Sequence, residues 1–94
     1  MKLDYTPTIS VIIPTYNRAN TIVRCIESVL AQSYSVNEII IVDDYSSDST
    51  IKQLYKFKDE ITILKTYKQI GAQAVRNMGI KAAKSDWIAF LDSD

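Results

Sequence analysis

Four short apolar runs alternate with segments whose apolar residues recur every three or four positions, and that alternation fixes the class of fold. Ile9 to Ile13 is dense and β-branched, Glu38 to Val42 reads Glu-Ile-Ile-Ile-Val, Ile61 to Leu64 is a third run, and Trp87 to Leu91 a fourth. After the first run, Ile22, Cys25, Ile26, Val29 and Leu30 share one face of a helix over Asn20 to Gln32, with Asn20 as its N-cap. Asp48 is placed to cap a second helix over Ser49 to Lys58, with Ile51, Leu54 and Tyr55 inward, and a third helical pattern runs from Gly71 to Lys84. Strands alternating with helices build a parallel α/β sheet. Runs that are apolar throughout suit strands covered by helices on both faces. The expectation is a Rossmann-like parallel sheet of about four strands with flanking helices over residues 9–94. Pro14 should end the first strand, because proline has no amide to give to a ladder.

Ninety-four residues make one small domain. Residues 1–8 lack the apolar core of a secretion signal and read as a flexible leader. Eleven basic and eleven acidic side chains cancel, so no broad basic field draws in nucleic acid or an anionic membrane. The absence of histidine removes Ser-His-Asp and Cys-His catalysis and His-ligated zinc. The single cysteine, Cys25, forms neither an internal disulfide nor a Cys-based metal site. Its lone thiol favours a reducing, cytoplasmic compartment.

In open parallel sheets ligands sit beyond the carboxyl ends of the strands. The polar residues of this chain gather there: Pro14-Thr15-Tyr16-Asn17-Arg18 after strand one, Asp43-Asp44-Tyr45-Ser46-Ser47-Asp48 after strand two, and Asp92-Ser93-Asp94 after strand four. Asp92 and Asp94, two apart in extended chain, point to one side and suit a hard divalent ion such as Mn2+ or Mg2+. The plain alternative is a pair of solvated surface acids. Asp43 and Asp44 suit hydrogen bonds to a base or ribose, against the alternative of an Asx-turn opening the next loop. Tyr16 offers a ring on which a base can stack. Gly71 permits close backbone approach at the start of a helix, where free amides favour anions, and Arg76 is within reach of a phosphate or of a rim acid. Without such a ligand, Tyr16 is packing and Arg76 a surface ion pair.

Four segments taken together closely resemble the amino-terminal half of family 2 glycosyltransferases: Ile9 to Arg18, Ile41 to Thr50, Ala74 to Gly79, and Ile88 to Asp94. The resemblance implies the N-terminal part of a GT-A fold, cut at its Asp-x-Asp motif. It also implies transfer of a sugar from a nucleotide-diphosphate donor, with UDP the expected nucleotide, to a glycan, lipid or protein acceptor. The reaction would be metal-assisted and inverting. By that resemblance Pro14, Thr15, Tyr16 and Asn17 cradle the base, Asp44 hydrogen-bonds it, and Asp43 lies at the same rim. Arg76 lines the diphosphate side; Asp94 holds the metal on the diphosphate, and Asp92 and Ser93 meet the ribose or, for Asp92, the metal. The family's catalytic base lies beyond this motif, so the 94-residue chain is expected to bind donor without turning it over. Membrane attachment, which such enzymes often have, would come from other segments. A sheet cut after its fourth strand would also leave apolar surface open to self-association. Tyr45 stands where the family usually has glycine or asparagine, and would narrow the base site or alter the loop.

Two other classes compete. A non-catalytic nucleotide-binding module would keep the same rim residues without chemistry. A phosphoacceptor receiver domain has an acidic pair like Asp43-Asp44, but after its first strand rather than its second.

Overall fold

The computed structural model describes residues 7–32 and 36–93. Of the expected leader, residues 1–6 lie outside the described residues. Thr8, expected to be loose, is anchored: its carbonyl accepts the Trp87 amide at 3.0 Å and its hydroxyl the Asp86 amide at 2.8 Å.

The elements follow the expected alternation: β1 (Ile9–Thr15), α1 (Ile22–Leu30), β2 (Glu38–Asp43), α2 (Thr50–Leu54) running into a 3-10 turn (Tyr55–Phe57), β3 (Thr62–Lys65), α3 (Ala72–Ala82) and β4 (Trp87–Phe90). All strands are parallel, in the order β3-β2-β1-β4. The chain builds outward from β1 to β3, then α3 returns it to the other side of β1. Strand order therefore reverses between β1 and β4, the place where an open α/β sheet receives ligands.

The period of two along β1 and β2 divides the core into two layers. Val11, Ile13, Ile39 and Ile41 pack with Ile22, Ile26, Val29 and Leu54 beneath α1 and α2. Ile12, Ile40 and Val42 face the other way and pack with Val75 of α3. Burying each of these isoleucines contributes about 1.5–3 kcal/mol, which is why both faces of β1 and β2 are apolar throughout. Two residues expected inward, Leu30 and Tyr55, are exposed, as are Trp87, Ile88, Phe90 and Leu91 of the β4 edge. Among the described residues no helix is long and apolar enough to cross a membrane.

Pro14 does not end β1; it lies in register with Val42, and Thr15 with Asp43. The side on which its amide is missing explains this. The Ile12 carbonyl receives the Leu91 amide and the Thr15 carbonyl the Asp44 amide, so even-numbered residues of β1 turn their backbone polar groups toward β4. β4 pairs with β1 only as far as Ile12 opposite Phe90, so no ladder bond is lost at Pro14. Helix α1 starts two residues later than expected, and its cap position is Thr21, not Asn20; the Thr21 hydroxyl makes no capping bond.

Candidate functional site

Asp43 and Asp44 are chemically identical neighbours, and the end of β2 sends them to different tasks. Asp43 is 1% exposed. Its Oδ2 accepts the Ser46 amide at 2.9 Å and its Oδ1 the Ser46 hydroxyl at 2.5 Å. Both oxygens serve the local turn, and Asp43 is not among the residues that line the pocket described below. Asp44 points the other way, toward the segment before α3. Its Oδ1 accepts the Thr66 hydroxyl at 3.0 Å and the Ile70 amide at 2.9 Å, and its Oδ2 the Gly71 amide at 3.0 Å. A carboxylate offers about four lone-pair directions. With three filled, one remains for a further donor.

Asn17, expected at the base cradle, bonds to the neighbouring loop and does not line the pocket described below. Its Oδ1 accepts the amides of Ser47 at 2.8 Å and Asp48 at 3.3 Å, and its own amide donates to the Ser46 hydroxyl at 2.8 Å. Asn17 therefore staples the loop after β1 to the loop after β2. Asp48 completes that staple. Burial pushes its carboxyl up, but the Thr50 hydroxyl and the amides of Thr50 and Ala19 outweigh that and hold it below the ordinary carboxylate value.

The loop so fixed places Tyr45 at φ 64°. That left-handed backbone favours glycine or asparagine and disfavours a bulky side chain. Tyr45 is 58% exposed and does not line the pocket described below, so it alters the loop rather than narrowing the site. Tyr45→Asn is expected to stabilise the chain by about 0.5–1 kcal/mol, since asparagine tolerates this conformation at lower strain; urea denaturation would read it as a higher midpoint at unchanged slope.

A pocket of about 340 Å³ opens at the reversal between β1 and β4. Pro14, Thr15 and Tyr16 form one wall, Asp92 and Ser93 a second, and Asp44, Gly71 and Arg76 a third, with Val75 beneath. Tyr16 is 40% exposed, so part of its ring is free for stacking. Gly71 has φ 92°, a conformation open to glycine, and a Cβ there would meet nothing within 4 Å. Its conformation, rather than close approach, is what demands glycine, and its amide is already given to Asp44. The first α3 bond runs from the Val75 amide to the Gly71 carbonyl, which leaves the amides of residues 72–74 ahead of helical bonding. Arg76 is half-buried, one turn further along.

Ser93 is 4% exposed; its hydroxyl donates to the Pro14 carbonyl at 3.1 Å, and its carbonyl accepts the Thr21 hydroxyl at 2.6 Å. Its side chain holds the segment in place. Asp92 is exposed at the pocket; Asp94 lies outside the described residues. Burial, and then the Asp92 carboxylate, push the Cys25 thiol up.

Arg18 lines the same pocket and carried no role in the sequence reading. Its guanidinium folds back to donate to the carbonyls of Tyr16 at 3.1 Å and Asn17 at 3.3 Å. Only its place in the run after β1 marked it. Two arginines and two aspartates thus line one cleft. Such a set can meet a ligand with an aromatic base, an anionic centre and a bound cation. Among the described residues, the buried polar side chains other than Ser10, namely Thr15, Asp43, Asp44, Thr50 and Ser93, lie at or just after the carboxyl ends of the strands, where their bonding makes this end of the sheet rigid.

The family model described as glycosyl transferase family 2 matches residues 10–94. The UDP-Glc:alpha-D-GlcNAc-diphosphoundecaprenol beta-1,3-glucosyltransferase WfaP of Escherichia coli is 46% identical over 87 residues, covering 92% of this chain and 35% of the relative. The solved structure of S. aureus TarS 1-349 in complex with UDP-GlcNAc superposes with a TM-score of 0.86 at 29% identity, over 93% of this chain and 26% of that one. Glucosyl-3-phosphoglycerate synthase from Mycobacterium tuberculosis, in complex with Mn2+, UDP and phosphoglyceric acid, gives a TM-score of 0.80 at 25% identity, over 94% of this chain and 33% of that one. The chain therefore spans about a third or less of these three proteins, and its α/β sheet has the expected GT-A fold. On its sequence and its fold, this chain belongs to glycosyl transferase family 2.

Proposed function

We propose that residues 9–94 form the donor-binding part of a metal-assisted, inverting glycosyltransferase that takes a hexosyl group from a uridine-diphosphate donor. The observation that carries this reading is the convergence of Tyr16, Asp44, Arg76 and Asp92, from four separate segments, on one pocket. In it, the Tyr16 ring stacks on the base and the free lone pair of Asp44 accepts a base N–H. Arg76 and Arg18 face the diphosphate. WfaP is named for UDP-Glc, and the TarS structure holds UDP-GlcNAc.

A divalent ion fits this donor set. Asp92 brings a hard oxygen ligand to the exposed side of the pocket. Manganese and magnesium are commonly held by one or two carboxylates, with water and substrate phosphates filling the shell. The lack of a three-ligand cluster among the described residues is compatible with such a site. Asp94 is the second proposed ligand. When bound, the ion neutralises charge building on the nucleoside-diphosphate leaving group.

The acceptor, a glycan, lipid or protein, and the base that deprotonates it belong to the remainder of a longer enzyme in this reading. The isolated chain then binds donor nucleotide without transfer, and its β4 edge, with Trp87 62% exposed, self-associates; light scattering reads that association directly.

Calorimetric titration of UDP with Mn2+, and again with EDTA, tests the donor site. The expected result is metal-dependent binding that is lost in Asp94→Ala, with GDP and dTDP weaker than UDP. A folded chain that takes none of the three nucleotides overturns the reading.

A further inference from the structure

We propose that Thr21 and Cys25 are positioning residues that hold the backbone of Asp92 and Ser93, and so aim the Asp92 carboxylate at the bound cation; this rests on the donor-site reading above. The last ladder bond of β4 is the Leu91 amide to the Ile12 carbonyl. Past it, three side-chain bonds hold the described chain. The Thr21 hydroxyl donates to the Ser93 carbonyl at 2.6 Å, the Cys25 thiol to the Asp92 carbonyl at 3.5 Å, and the Ser93 hydroxyl to the Pro14 carbonyl at 3.1 Å.

Thr21 and Cys25 are joined by a helical bond, the Cys25 amide to the Thr21 carbonyl at 3.0 Å, so they stand one above the other on the side of α1 that meets this segment. Threonine at a helix N-cap usually turns its hydroxyl to the helix amides. Here it makes no such bond and holds Ser93 instead. The clamp grips successive carbonyls from behind, while the Asp92 side chain stays exposed at the pocket. A metal-binding carboxylate has to be fixed to within about 10–20° to act, and neighbours that touch no ligand supply that fixing.

The test is the UDP titration repeated on Thr21→Val, Thr21→Ser and Cys25→Ala, each checked for folding by thermal melting. In Thr21→Val the gain in UDP affinity produced by Mn2+ is expected to fall about tenfold, with affinity in EDTA unchanged. Thr21→Ser restores the gain. Cys25→Ala, which removes a weaker donor and keeps the small core volume, lowers it about threefold and serves as the test if Thr21→Val does not fold. Equal losses with and without Mn2+, or no loss, overturn the inference. A wild-type chain without a Mn2+-dependent gain overturns the donor-site reading and the inference with it.

Discussion

Gly79→Ala is expected to destabilise the chain by a net of up to about 2 kcal/mol, although alanine is the better helix former. A Cβ at this position would stand 2.5 Å from Cγ2 of Ile12 and 3.1 Å from its Cδ1. Ile12 is 0% exposed, in a central strand, and packs with Val75 beneath α3. Its Cγ2 is attached to a branched Cβ and cannot swing aside without a change of rotamer. Overpacking of this kind costs about 1–3 kcal/mol, against about 1 kcal/mol gained from helix propensity. The melting temperature should fall, by up to about 16 °C, as that loss implies for a domain of this size. A rise on thermal denaturation would show that α3 can lift from β1 without cost. The close contact also gives the glycine of Ala-Val-Arg-Asn-Met-Gly its reason: it lets α3 lie near β1, which sets Arg76 over the pocket one turn earlier.

Asp44→Ala is expected to act on both binding and fold. It removes the proposed acceptor for the base, and UDP binding should fall by about tenfold to a hundredfold, as for a charge-assisted bond of about 1.5–3 kcal/mol. It also strands the Thr66 hydroxyl and the amides of Ile70 and Gly71, all now bonded to Asp44. Each donor left unpaired away from water costs about 1–3 kcal/mol. Asp44→Asn separates the two roles. One amide oxygen can keep the Thr66 and Ile70 donors, but an amide nitrogen facing Gly71 cannot accept. Calorimetry and urea denaturation, run on both variants, should therefore show a smaller stability loss in Asp44→Asn than in Asp44→Ala, with weakened UDP binding in each. Unchanged affinity in both variants would remove Asp44 from the base site.

The sheet could be read in the sequence because burial on both faces leaves an unbroken apolar signature. Ile39 to Val42 supply side chains to both layers, and no other element accounts for such a run. What could not be read depended on direction rather than residue type. Pro14 remains in β1 because its missing amide faces β4 where pairing has already ended. Asp43 and Asp44 look alike in the chain, and only the alternation of strand faces sends one into the turn and the other to the pocket. Asn17 sits beside Tyr16 in the chain, and only the fold shows that its oxygen accepts the amides of Ser47 and Asp48. Arg18 carries no distinguishing signal in the sequence, since a charged residue after a strand is ordinarily solvated; in the fold it lines the pocket and bonds back to the Tyr16 and Asn17 carbonyls.

Amide chemical shifts of the isotope-labelled chain, followed as UDP and Mg2+ are added, test the location of the donor site most directly. The largest shifts are expected on Thr15, Tyr16, Gly71, Arg76 and Ser93, the residues around the reversal between β1 and β4. Replacing Mg2+ by Mn2+ should broaden Asp92 and Ser93 first. Shifts concentrated elsewhere, such as at Asn37, Asp59 and Glu60 at the opposite end of the strands, with the carboxyl rim unmoved, would contradict it.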